Sequence, residues 1–108
     1  MKYVDLVKLY REEMYSFLKL IVDMELLLVF NNDFLTELTA DNKLYIPLFT
    51  SVSEIKGIKY TRIDSVNIGV IIRDIYSLRK YHAISINPYT DDLIITDSMI
   101  KIIKIINK

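Results

Sequence analysis

Leu44-Tyr45-Ile46-Pro47-Leu48-Phe49-Thr50-Ser51-Val52-Ser53-Glu54-Ile55 is the stretch on which the fold reading turns, and Ala83-Ile84-Ser85-Ile86-Asn87-Pro88-Tyr89-Thr90-Asp91-Asp92-Leu93 is its counterpart. Each starts as an apolar strand and runs into a sharply defined turn. In the first, Lys43 to Phe49 reads as a strand, and Pro47 inside it cannot donate to a ladder, which predicts an edge strand or a bulge there. Ser51-Val52-Ser53-Glu54 has capping-box spacing: a serine oxygen can accept from the third amide while the glutamate reaches back. Gly57 then supplies a left-handed stop, so a single helical turn is expected between them. In the second stretch, Ala83, Ile84 and Ile86 form a strand. Asn87-Pro88-Tyr89-Thr90 suits a type I turn, with the Asn side chain bonding forward and Pro setting φ. Leu93-Ile94-Ile95 is the short strand that returns.

Outward from these segments the periodicity is helical at both ends. Val4, Val7, Tyr10, Met14, Phe17, Leu18 and Ile21 mark one face of a helix from Tyr3 to about Val22. Leu26 to Phe30 is a continuous apolar run ended by Asn31-Asn32-Asp33, the pattern of a strand buried on both faces. The polar stretch through Asn42 reads as a connection containing a turn. Ile58 to Ile63 alternates like a third strand. Asp64 or Ser65 is placed to cap a helix carrying Ile68, Ile71, Ile72, Ile75 and Leu78 at helical spacing, with Arg73, Asp74, Arg79 and Lys80 facing water. Thr96 or Asp97 can cap a last helix whose Lys101, Lys104 and Lys108 form a narrow polar stripe. Ile dominates its remaining surface, so a strand over Lys101 to Ile106 stays open as an alternative. As a helix, so broad an apolar surface calls for two contacts, one of which can be a second chain.

Composition excludes more than it assigns. At 108 residues, 52% hydrophobic with Tyr counted, the chain has the size and apolar content of one globular domain rather than a disordered segment. Fourteen basic and fourteen acidic residues cancel, leaving no overall field to attract nucleic acid or an anionic membrane. With no cysteine there are no disulfides, thiolate metal sites or cysteine nucleophiles, which fits a cytoplasmic protein. The N-terminal region carries no apolar signal-peptide core, and Phe17 to Phe30 is too short and too charged to span a bilayer.

Catalytic constellations are absent from the pattern. His82 is the only histidine, and it reads as an exposed or core-edge imidazole without a nucleophile to activate. Gly57 and Gly69, twelve apart, cannot form a phosphate-cradling loop. Asp91, Asp92 and Asp97 lack calcium-loop spacing and read as turn and cap residues. Eight tyrosines without a basic groove suit protein recognition better than base stacking. No catalytic, cofactor-binding or metal-ligating residue is therefore assigned.

The Pro47, Phe49, Thr50, Ser51 segment ("P-x-FTS") and the Ile86-Asn87-Pro88 turn ("INP"), each at the end of a strand, resemble the signature of the SseB N-terminal domain family of small bacterial proteins. The order of helices and strands looks like that family over nearly the whole chain. The resemblance implies an SseB-like α+β fold: a single mixed β-sheet of about five strands packed with two or three main helices, in one domain spanning residues 1–108. It implies the domain alone, without the C-terminal domain often found in longer relatives. The family name derives from a serine-sensitivity phenotype and implies no enzyme.

Three functions are expected from these observations. The first is a non-enzymatic protein-binding module, of which a bacterial toxin-neutralising, immunity-type protein is one concrete version. Its contact surface is expected at Tyr81, Tyr89, Asp91 and Asp92, where aromatic and acidic groups on a fixed turn can meet a basic partner. The second is a regulatory domain binding a small ligand of serine or amino-acid metabolism. The third is a homo-oligomer, a homodimer through the C-terminal helix being the simplest.

Overall fold

The computed structural model describes residues 5–106. Asp5 opens helix α1 (Leu6–Glu12) by accepting from the Lys8 amide at 3.1 Å. The chain breaks helical geometry at Glu13 (φ −142°, ψ 71°) and resumes as α2 (Met14–Asp23). One helix was expected here. The break carries no Pro or Gly, so tertiary contacts supply it: the Tyr10 hydroxyl donates to the Ile94 carbonyl at 2.8 Å, and its ring stands edge-on to Phe17 with centroids 5.2 Å apart. Only α2 is truly inserted, through Phe17, Leu18, Ile21 and Val22.

Strand β1 (Glu25–Asn31) follows, then a turn at Asn32-Asp33 with φ of 52° and 68°, β2 (Phe34–Leu35), β3 (Leu38–Ala40), a turn at Asp41-Asn42 with φ of 52° and 63°, and β4 (Lys43–Leu48). The stretch expected as a connection containing a turn is therefore two hairpins. Both have two-residue turns with positive φ throughout, the geometry that matches the right-handed twist of the flanking strands. Asn and Asp tolerate that region because their short polar side chains bond locally.

After Phe49 a short 3₁₀ turn at Val52–Glu54 stands where one helical turn was expected, and Gly57 takes its left-handed φ of 70°. Strand β5 (Arg62–Asn67) runs later than predicted, through Asp64 and Ser65, and the helix cap falls to Asn67, whose side chain accepts from the Val70 amide at 3.1 Å. Helix α3 (Ile68–Asp74) is short. A 3₁₀ turn at Tyr76–Leu78 ends in left-handed Arg79, which removes Leu78 from the buried face. Strands β6 (Ala83–Ile86) and β7 (Leu93–Ile95) precede α4 (Asp97–Ile106), so the last segment is helix, with the Thr96 hydroxyl accepting from the Met99 amide at 3.4 Å.

The architecture is α+β, and among the described residues seven strands divide into two sheets rather than forming one sheet of about five. One sheet is antiparallel in the order β2-β1-β5; the other is mixed, in the order β3-β4-β6-β7, with β4 and β6 parallel. They meet where the Leu27 amide donates to the Phe49 carbonyl at 2.8 Å and the Phe49 amide donates back at 3.1 Å. Pro47 is thus not on an edge strand. β4 is flanked by β3 and β6, and Pro47 sits after the last β3 pair, at Tyr45, and before the β1 contact at Phe49. A missing N–H in that interval breaks no ladder bond.

Side-chain alternation sorts the strands between two faces. Leu26, Leu28, Ile46, Leu48, Ile84, Ile86, Leu93 and Ile95 join Phe17, Leu18, Ile21, Ile68, Ile71, Ile100 and Ile103 in the main core under α2, α3 and α4. Val29, Pro47 and Phe49 are buried on the reverse face, outside that core. α4 fills the core with Ile100 and Ile103 but leaves Ile102 and Ile105 exposed.

Candidate functional site

The two segments that resemble a family signature are joined to each other. Asn87, at φ 53° and only 2% exposed, accepts from the Thr50 amide at 3.0 Å through Oδ1 and donates from Nδ2 to the Thr50 hydroxyl at 3.0 Å and to Asp91 at 3.3 Å. Its own carbonyl accepts from the amides of Thr90 (3.1 Å) and Asp92 (2.8 Å). Ser85, buried on β6, donates to Asp92 at 2.8 Å, and the Thr90 hydroxyl donates to Glu54. Tyr89 stacks on fully buried Phe49, with centroids 6.3 Å apart and rings inclined by 22°. The Asn side chain does bond forward, as expected, but its stronger partner lies 37 residues back. The capping box does not form: Glu54 is taken by Thr90, and Ser51 turns its hydroxyl to Ser53 at 2.9 Å.

This clamp contains three of the four residues expected to contact a partner. Tyr89, Asp91 and Asp92 are exposed at the turn, but Asp91 and Asp92 already accept internal hydrogen bonds. Tyr81 is not with them. It precedes β6 while the turn follows it, a separation of four strand residues at roughly 3.3 Å each. It is also buried, 8% exposed, so the structure does not place Tyr81 on the exposed turn with the other three.

Tyr81 belongs instead to a hollow of about 450 Å³ at the other end of β6. Phe34 (77% exposed) and Leu78 (66%) stand at its mouth, and Phe30, Leu35 and Ile75 line it. Its rim is charged but internally paired. Lys80 reaches Glu37 at 2.9 Å, and the Tyr81 hydroxyl donates to the same carboxylate at 2.5 Å. These two contacts, the Tyr81 bond first, hold the Glu37 carboxyl below its ordinary range. Burial, then the hydrogen bond to Glu37, pushes the Tyr81 phenol up. Beside the hollow, Arg62 lies 4.1 Å from the ring centroid of Phe30 and 3.6 Å from Asp33, both of which line it.

Sequence reasoning missed this hollow. Phe34 sat in a stretch read as polar connection, and Leu78 continued a helical stripe that the 3₁₀ turn ends early. The available signal was Asn32-Asp33: a primed two-residue turn after β1 forces the next residues back alongside it.

Elsewhere, His82 is exposed with its ring edge-on to Tyr45, centroids 5.5 Å apart. Among the described residues no group of three or more His, Cys, Asp or Glu is placed to hold a metal ion. No helix among them is long and apolar enough to cross a membrane. Comparison with protein-family models, with curated proteins and with solved structures returned no match.

Proposed function

We propose that the chain is a non-enzymatic protein-binding module and that its contact surface is the hollow framed by Phe34 and Leu78. The observation that carries this reading is the exposure of two large apolar side chains on either side of one apolar depression. Single exposed apolar residues are ordinary, but a pair around a shared hollow has the form of an interface core. The ion-paired rim supplies the polar ring that excludes water around such a core. A rigid surface of this kind works by occluding or positioning its partner, as a toxin-neutralising protein does. The clamp between Thr50 and Asn87 is what supports the SseB-type reading, since it gives both signature segments one architectural task.

The test is a purified partner, identified by affinity capture and mass spectrometry and then titrated against variants. Phe34→Ser with Leu78→Ser should weaken binding at least tenfold without changing the melting temperature. Unchanged affinity would remove the assignment.

A second reading, self-association through α4, is favoured by Ile105 at 72% and Ile102 at 38% exposure. Sedimentation analysis of wild type and Ile105→Lys decides it: a dimer that the substitution dissociates supports it, and a concentrated wild-type monomer ends it.

A further inference from the structure

On the other side of the 75–81 segment from the apolar hollow runs a cleft between α3 with its following 3₁₀ turn and α4. It has two adjoining lobes of about 620 and 680 Å³ that share Ser77 and Lys104. Although the chain as a whole is neutral, this cleft is not: Arg73, Arg79, Lys101 and Lys104 line it against the single carboxylate of Asp97. Arg73 is committed to Asp74 at 2.7 Å and Lys101 to Asp97 at 3.3 Å. Arg79 and Lys104 make no ion pair among the described residues. Asp97 is further occupied by the Tyr76 hydroxyl at 2.9 Å, and this bond, then Lys101, holds its carboxyl below the ordinary range. The acid inside the cleft is therefore already satisfied, and Arg79 and Lys104 are exposed cations with no ion-pair partner among the described residues, Lys104 acting on Asp97 only at longer range.

We infer that this cleft binds an acidic segment of the partner protein, with carboxylates on Arg79 and Lys104 and an apolar side chain against Val70. This deepens the protein-binding reading, on which it rests, by naming the chemistry of the partner: an apolar anchor for the Phe34–Leu78 hollow, then acidic residues across the 75–81 ridge. Charge complementarity carries the choice of occupant. A nucleic acid fits less well. Of the aromatic rings lining the cleft, Tyr81 is buried with the Lys80 ammonium 5.3 Å from its centroid and Tyr76 is half-buried, so neither offers an open platform for a base. Val70, 37% exposed, offers apolar purchase that a peptide side chain can use and a phosphate backbone cannot.

The experiment uses the full chain and a short fluorescein-labelled peptide rich in glutamate with a single leucine, followed by anisotropy and by amide shifts in ¹⁵N-correlated NMR spectra. Binding at low salt should shift the Gly69 and Lys104 amides and weaken several-fold as ionic strength passes the physiological value, where the screening length is about 8 Å. Arg79→Glu with Lys104→Glu should reduce peptide affinity at least tenfold, Arg79→Lys with Lys104→Arg should retain it, and both variants should melt like wild type. Phe34→Ser with Leu78→Ser should leave the Gly69 and Lys104 shifts in place, so a failed hollow and a failed cleft are distinguishable. Peptide binding that ignores the charge reversals overturns the inference, as does an absence of shifts at these amides. Tighter binding of an oligothymidylate at the same amides overturns it in favour of nucleic acid.

Discussion

Phe49 and Phe34 are the same residue fifteen positions apart, and they stand at opposite extremes of exposure, 0% and 77%. Phe49 closes the reverse face of the sheets beneath Tyr89, within a clamp whose polar groups answer one another. Phe34 stands with Leu78 at the mouth of a hollow that nothing among the described residues fills. The contrast separates what holds this molecule together from the surface proposed for recognition. The segments most distinctive in sequence belong to the first kind. The surface proposed for recognition lies in stretches whose sequence looks ordinary.

The largest expected effect breaks the clamp's apolar half. Phe49→Ala should cost about 3–5 kcal/mol, as loss of a buried aromatic ring does, whereas Phe34→Ala should stay within about 0.5 kcal/mol of wild type. Urea unfolding of the pair checks both, and equal costs would dissolve the distinction. Asn87→Ala should follow at about 2–4 kcal/mol, because it orphans the Thr50 amide and puts a Cβ-bearing residue without local hydrogen bonding at positive φ. Asn87→Gly keeps the backbone and loses only the side-chain bonds, so it should fall between Asn87→Ala and wild type. An Asn87→Gly as unstable as Asn87→Ala would leave backbone strain with no share.

A smaller, pH-dependent effect is expected at the hollow. The Glu37 carboxyl titrates below its ordinary 4.5 because Tyr81 and Lys80 bind its charged form. Its stabilising contribution is therefore complete above about that pH and is lost as pH falls through the lower folded value. Wild type should be more stable than Glu37→Gln at neutral pH, and the gap should close on acidification. A gap that widens in acid would reverse the sign of the interaction.

The α+β class and the strands at Leu26–Phe30, Lys43–Phe49, Ala83–Ile86 and Leu93–Ile95 were legible because their apolar runs are long or flanked by strong turn residues, whereas the last segment was left open between helix and strand because β-branched Ile dominates it. The two hairpins were not, since β2 and β3 span two and three residues, too few for any period. The division of the first helix at Glu13 and the early end of α3 were illegible for another reason. In both, apolar spacing continues smoothly while tertiary contacts redirect the chain. The turn at Asn87 was readable as a turn, but its bond to Thr50 is a long-range fact that no local pattern encodes. Tyr81 was misplaced because proximity in sequence to the turn stood in for proximity in space, and a strand lies between.

The central claim is that recognition belongs to the hollow and integrity to the clamp turn. Isothermal titration of the captured, purified partner against two double variants tests it most directly: Phe34→Ser with Leu78→Ser, and Tyr89→Ala with Asp92→Ala. The first pair should lose at least tenfold in affinity while melting like wild type, and the second should bind within about twofold of wild type at a temperature where it remains folded. Full-strength binding by the first pair, together with loss of binding by a folded second pair, would contradict the account.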